Sequence, residues 1–225
     1  MTDPILLSFA VAYAVSSAVL FAWVRRVPVQ LREYCYPLLG LVVLAAVTHT
    51  LSGLTVGVID LGSAEFDVFN VIDGSIAYGV LFGAAALLAD VTRRQLWVAV
   101  ALPATMNVAF QGAAVTDGIL ALVGALIVIF GYPVLCWLYF RSFVETVRQT
   151  SRARQRLYRK FRNLLLFLIG FLILIAFTSL DFFVSDISDT LIAYVDFLLR
   201  VGFAGFLFAN ISVFYDFEAS VTADS

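Results

Sequence analysis

Seven runs of mostly apolar residues, each near the length that crosses a bilayer core, take up most of this chain and restrict what it can become. A helix needs about 20 such residues to span the hydrocarbon. The runs are Pro4 to Val24, Tyr36 to Val58, Phe69 to Ala89, Gln95 to Val115, Gly118 to Phe140, Asn163 to Val184 and Asp189 to Phe214. Only short polar links separate them, so the expected fold class is all-α: one seven-helix transmembrane bundle over residues 1–225, with no soluble domain. At 62% hydrophobic and 13% charged residues, the composition excludes an ordinary water-soluble domain. The first run lacks the positive flank and small-residue cleavage site of a signal peptide, so it is expected to remain as a span.

Basic residues are retained on the cytoplasmic side of a membrane, and here they mark one side clearly. Arg25, Arg26 and Arg32 follow the first span; Arg93 and Arg94 follow the third; Arg141, Arg148, Arg152, Arg154, Arg156, Arg159, Lys160 and Arg162 lie between the fifth and sixth. The opposite links carry Asp3, Asp60, Glu65, Asp67, Asp117, Asp186 and Asp189. The expected topology is therefore N-terminus outside and C-terminus cytoplasmic, in a multi-pass protein of the cell membrane. Trp23, Trp97 and Trp137 all fall at the basic ends, as an interfacial belt would. The stretch Arg148, Arg152, Arg154, Arg156, Arg159, Lys160 and Arg162 is a candidate surface for anionic headgroups or a cytoplasmic protein partner. The same bias also serves as a plain topology determinant.

Four ionisable residues fall at membrane depth: His49, Asp73, Asp196 and Arg200, with Asp90 and Asp181 nearer span ends. Charges there are expensive and normally face the bundle interior with partners. On a helix, i and i+4 share a face, so Asp196 and Arg200 can pair, and Asp73 can join them from the third span. That cluster would carry one net negative charge, which a proton would neutralise. His49 is the single histidine. A haem or metal would need further ligands, with Met106 the nearest candidate, so a helix-interface histidine bonded to Thr48, Thr50 or Ser52 is expected instead, and no metal. Asn107 and Gln111, one turn apart, could add a polar stripe, and His49, Thr50, Asn107 and Gln111 are the candidate cavity residues. Cys35 and Cys136 show no CxxC spacing and read as free thiols. Two GxxxG pairs, Gly53 with Gly57 and Gly79 with Gly83, permit close helix approach within the bundle or in a homo-oligomer. No nucleophile and base, phosphate loop or metal cluster is present in the links, so neither an enzyme nor a nucleic-acid binder is expected.

The stretch VDFLLRVGF, Val195 to Phe203, together with NVIDGS around Asp73, VTHTLSGL from Val47 to Leu54 and KFRN from Lys160 to Asn163, resembles the microbial rhodopsin family, of which bacteriorhodopsin is the best-known member. The resemblance runs over nearly the whole chain. It implies that Asp73 matches the family's Schiff-base counterion and Asp196 the second carboxylate of the counterion complex. It also implies that Arg200 stands where the family has the retinal-binding lysine. Arginine stays protonated and does not form such an imine, and the only lysine, Lys160, lies in a link. The pocket differs as well. Gly74 stands near a family tryptophan position, and Leu164 to Phe177 contains no Trp or Tyr. The family's arginine before the third-span aspartate falls near Asn70, and its cytoplasmic proton-donor carboxylate near Ala84.

The resemblance so qualified implies a retinal-free membrane protein without a covalent cofactor, in which Arg200 holds Asp73 and Asp196 bidentately as an internal staple. Family sensors transmit through lateral helix contacts, which implies a sensing, signalling or scaffold role with a membrane or cytoplasmic partner. The alternative is an ion or proton transporter, or a receptor that holds a polyene or other small ligand non-covalently.

Overall fold

A computed structural model of the chain describes residues 2–62, 64–178 and 185–214, the side chains of 176–189 and 214 excepted. Asp181, the side chains of Asp186 and Asp189, the end of the sixth span beyond residue 178 and the tail from residue 215 lie outside the described residues. The helices are α1 (Pro4–Val24), α2 (Arg32–Gly53), α3 (Val68–Leu88), α4 (Arg93–Ala114), α5 (Gly118–Trp137), α6 (Phe143–Val147), α7 (Arg152–Thr178), α8 (Ser185–Phe197) and α9 (Phe203–Ala209). A π-helical turn over Leu138–Ser142 fuses α5 to α6, and another over Leu198–Gly202 fuses α8 to α9, so the pieces make seven spans. Six of them, among the described residues, are long and apolar enough to cross a membrane.

Local chemistry sets the ends. Asp3 accepts hydrogen bonds from the backbone N–H groups of Ile5 and Leu6, with Pro4 at the first helical position, and Asp67 accepts from the N–H of Asn70. Thr92 and Gln95 form a reciprocal capping box at the start of α4. α3 stops where Asp90 takes a left-handed conformation, φ +56°, which Asp tolerates better than most residues. Arg154 then reaches back from α7 to the freed carbonyls, donating from Nε to Leu88 O at 2.8 Å and from Nη2 to Leu87 O at 2.6 Å.

The second span is displaced from its expected bounds of 36–58: α2 begins at Arg32 and ends at Gly53. Thr55 (φ +58°) and Gly57 (φ +79°) turn the chain out of the helix. It then runs through a two-stranded antiparallel hairpin, β1 (Val58–Asp60) with β2 (Glu65–Asp67), in register Ile59 to Phe66. Apolar Leu54, Val56 and Ile59 are therefore exposed on a connection. The Gly53–Gly57 pair is accordingly no helix face: Gly53 abuts the Leu7 side chain of α1, and Gly57 sits in the turn against Phe69. Gly79 and Gly83 do lie on one face of α3, where an added Cβ would meet Val100 of α4 at 3.3 and 2.9 Å, a packing made within the chain.

Each helix packs against its neighbour in sequence, and α8 and α9 return to α1 and α2, closing the ring. The two ends of the bundle differ sharply. At the basic end Phe82, Tyr139, Phe143, Tyr158, Phe161 and Phe203 are fully buried. Tyr139 donates to Phe82 O at 2.5 Å and Tyr158 to Tyr139 O at 2.6 Å, while the Phe161 and Phe203 rings lie 4.1 Å apart. This aromatic plug joins α3, the π-helical turn after α5, α6, α7 and α9 with its hydroxyls satisfied. At the acidic end, where α1 and α3 begin, the described residues leave the interior open.

Candidate functional site

The site is built from the seventh span inward. The π-helical turn Leu198–Gly202 carries Arg200, and such wide turns often mark functional positions because they re-aim side chains. Arg200 is 3% exposed and Asp73 1%. Arg200 Nη1 donates to Asp73 Oδ2 across 2.5 Å, tying the seventh span to α3. Its Nε lies 2.9 Å from Asp196 Oδ2, but the N–H is not aimed along that line, so this contact is ionic rather than hydrogen-bonded.

The structure therefore brings Asp73, Asp196 and Arg200 together but corrects the bidentate picture: the guanidinium gives one hydrogen bond to one carboxylate and a charge contact to the other. Asp73 Oδ1 is left buried with no hydrogen-bond partner. Asp196 is better served, accepting from the Tyr13 hydroxyl at 3.0 Å on Oδ2 and from the Tyr78 hydroxyl at 3.5 Å on Oδ1. These two tyrosines were not among the residues singled out from sequence. Tyrosine hydroxyls within apolar spans, which need a partner once buried, are the signal that could have found them.

Above the charges lies a cavity of about 630 Å³ that opens between Asp3 and Asp67 at the acidic end and is lined at depth by Asp73, Tyr78, Asp196 and Arg200. It reaches Phe82 and Leu135 on the near side of the plug. His49, Asn107 and Gln111 line it as well, with Thr48 and Ser52. Thr50 does not: it is exposed on the outer face of α2 and donates back to Ala46 O at 2.7 Å. One residue of rotation along α2 puts His49 inward and Thr50 outward. His49 pairs with no hydroxyl; its Nδ1 lies 2.9 Å from Ala45 O. A carbonyl can only accept, so in the neutral ring Nδ1 carries the proton and Nε2 is left as an acceptor. The Asn107 amide donates to Val71 O at 3.2 Å and Ser75 Oγ at 3.1 Å, which leaves its carbonyl oxygen free to accept. Gly74 makes room for that amide: a Cβ there would stand 2.9 Å from Asn107 Nδ2. Among the described residues no three His, Cys, Asp or Glu side chains are grouped as a metal site.

The basic surface is smaller than the sequence suggests. Arg148, Arg152, Arg156, Arg159 and Lys160 are exposed, whereas Arg154 caps α3 and Arg162 stacks its guanidinium 4.1 Å from the Phe140 ring centroid.

No protein-family model matches the sequence, and no curated protein does. Solved structures match over nearly the full length. A cyanorhodopsin from the cyanobacterium Tolypothrix superposes with a TM-score of 0.83 at 13% identity, covering 92% of this chain and 95% of that one. The fold is that of the microbial rhodopsins. A thermophilic rhodopsin from Rubrobacter xylanophilus matches this rhodopsin fold at TM-score 0.81 and 18% identity over 93% of this chain and 95% of that one. The light-driven proton pump from Coccomyxa subellipsoidea does so at TM-score 0.78 and 15% identity over 93% and 98%. With six membrane-competent helices in this fold, the chain is a multi-pass membrane protein.

Rhodopsins hold retinal as an imine on a seventh-span lysine, and the residues present here do not fit that linkage. Within the seventh span the buried cation is Arg200, already engaged by Asp73 and Asp196. The single lysine is on α7 at the basic end, its Nζ 5.4 Å from the Phe206 ring centroid.

Proposed function

We propose that this protein is a rhodopsin-fold receptor of the cell membrane that takes a small ligand non-covalently into the cavity between Asp3 and Asp67, with the acidic end outside. The observation that carries the reading is the asymmetry of the interior. A roomy cavity with convergent polar groups opens at one end, and a hydrogen-bonded aromatic plug blocks the other. Such a shape admits a ligand from one side and gives it no way through. Helix contacts around the floor, from α3 to the seventh span through Arg200, offer a route by which occupancy could be passed to a lateral protein partner.

Native mass spectrometry tests this. Protein purified from its own membrane should carry a small molecule that organic solvent removes without a covalent remainder. A variant with the cavity filled, Ala193→Phe, should carry none. Equal adducts on both proteins, or none on either, would contradict the proposal.

A second reading is supported by the solved structures described as light-driven proton pumps. On that reading the carboxylates Asp73 and Asp196 relay protons. A pH change in vesicles that is lost in Asp73→Asn would favour transport over reception.

A further inference from the structure

The cavity wall is divided lengthwise into a polar and an apolar sector. His49 and Ser52 share a face of α2, Asn107 and Gln111 stand one turn apart on α4, and all four line the cavity with α3 between the two helices. On the opposite side, above Asp196, the described lining from α5, α7 and α8 is apolar, with Val128, Leu172, Ile173 and Ile192 among it. The boundary runs along α4. The Asn107 amide turns towards α3, to Val71 and Ser75, whereas Met106 turns towards α5, its Sδ against Gly131. The polar sector has hydrogen-bonding capacity to spare. His49 Nε2, Asn107 Oδ1, the Ser52 hydroxyl and the Gln111 amide have no partner among the described residues. Yet none of them is sealed: the buried side-chain atoms left without a partner are Asp73 Oδ1 and Arg200 Nε. The two groups nearer the floor act as acceptors, since Asn107 spends its amide protons on Val71 and Ser75, and His49 its Nδ1 proton on Ala45. The carboxyl and guanidinium groups that line the cavity are engaged within the protein, Asp73 and Asp196 with Arg200, and Asp3 and Asp67 as caps on α1 and α3. A charged ligand thus finds no free counterion at depth.

Resting on the receptor reading above, the geometry points to a ligand that is an uncharged alcohol, amphipathic across its width. Its hydroxyls lie along one side and donate to Asn107 Oδ1 and His49 Nε2, while its bare side lies against α5, α7 and α8. Ser52 and Gln111, which can both donate and accept, meet hydroxyls nearer the mouth. A ketone of the same shape sets lone pairs against lone pairs at Asn107 and His49. A hydrocarbon leaves all four groups with neither water nor a partner.

The test uses the full chain in nanodiscs, with empty nanodiscs as the blank and tritiated methyl cholate as probe, a rigid apolar body with its ring hydroxyls on one face. Two counterparts keep the skeleton: methyl dehydrocholate, in which each of those hydroxyls is a ketone, and methyl ursocholate, in which one hydroxyl points to the opposite face. Methyl cholate is expected to bind roughly ten- to a hundredfold tighter than the triketone, as hydrogen bonds gained at two otherwise unpaired acceptors require, with the epimer between them. Its advantage over the triketone should shrink in Asn107→Leu and in His49→Phe, and all binding should be lost in Ala193→Phe. The comparison among probes needs no variant, so it stands even where one of these does not fold. Equal binding of alcohol and triketone, abolished by Ala193→Phe, overturns the alcohol and leaves the receptor reading intact. Equal binding of methyl cholate and its epimer overturns the one-sided arrangement of hydroxyls. Binding of no probe, or binding that survives Ala193→Phe, overturns the inference, and the receptor reading is then judged on its own adduct experiment.

Discussion

At the level of single residues, Arg200 is the group on which the interior depends. Charges at bilayer depth cost about 2.5–3.5 kcal/mol each on insertion scales, and Asp73, Asp196 and Arg200 are tolerated because they meet. Removing the guanidinium leaves two buried carboxylates without the cation they share. Arg200→Met should therefore destabilise by about 3–5 kcal/mol in mixed-micelle unfolding. The lipid-facing change Leu120→Ala, at a residue 69% exposed, should cost far less. Equal effects would mean that the ion pairs contribute nothing net. The sequence revealed these three residues because formal charges in apolar runs are conspicuous and i, i+4 spacing is readable. It did not reveal that Asp73 would keep an unpartnered oxygen, since that depends on the direction of one guanidinium N–H. Nor did it separate His49 from Thr50, because neighbouring positions on a helix diverge by about 100° and only the packing of α2 fixes which faces in.

At the level of helices, close approach is decided by what a missing Cβ makes room for. Gly124 of α5 lies against the backbone of α4: a Cβ there would stand 2.5 Å from Ala109 O. At Gly131, two turns further along the same face, the same Cβ would meet Met106 Sδ at 2.7 Å, the flexible end of a side chain. Gly124→Ala should thus cost about 1–3 kcal/mol, as overpacking against an immovable carbonyl does, and Gly131→Ala clearly less, measured as a fall in unfolding midpoint. A larger loss at Gly131 would show that Met106 is held rigid. Helix positions were legible from apolar length alone, and the basic links from their arginines. The end of α2 was not, because Leu54, Val56 and Val58 continue the apolar run in composition while Thr55 and Gly57 break it in backbone conformation. The long basic link, Arg141 to Arg162, reads in the sequence as a helical extension of its neighbours, and α7 does reach back to Arg152, but its cap on α3 by Arg154 belongs to tertiary structure.

At the level of the whole molecule, the rhodopsin fold supplies a ring of helices around an interior, and this chain has closed one half of that interior and kept the other open. The seven spans and their charge bias could be read from the sequence, and so could a resemblance that pointed to the fold. The cavity could not, because its volume is the difference between bulky rings at the plug and small or polar groups nearer the mouth, and those come from all seven spans. The central claim is that a ligand-sized cavity reaches Asp73 and Arg200 from the outer surface only. It is tested by thiol accessibility on intact cells, in a chain whose own Cys35 and Cys136 are replaced by alanine. Ala193→Cys, on the cavity wall, should react with a membrane-impermeant maleimide added outside, and Leu199→Cys, buried beside Arg200 but away from the cavity, should not. Labelling of Ala193→Cys from the cytoplasmic side alone, or equal labelling of both positions, would contradict the account.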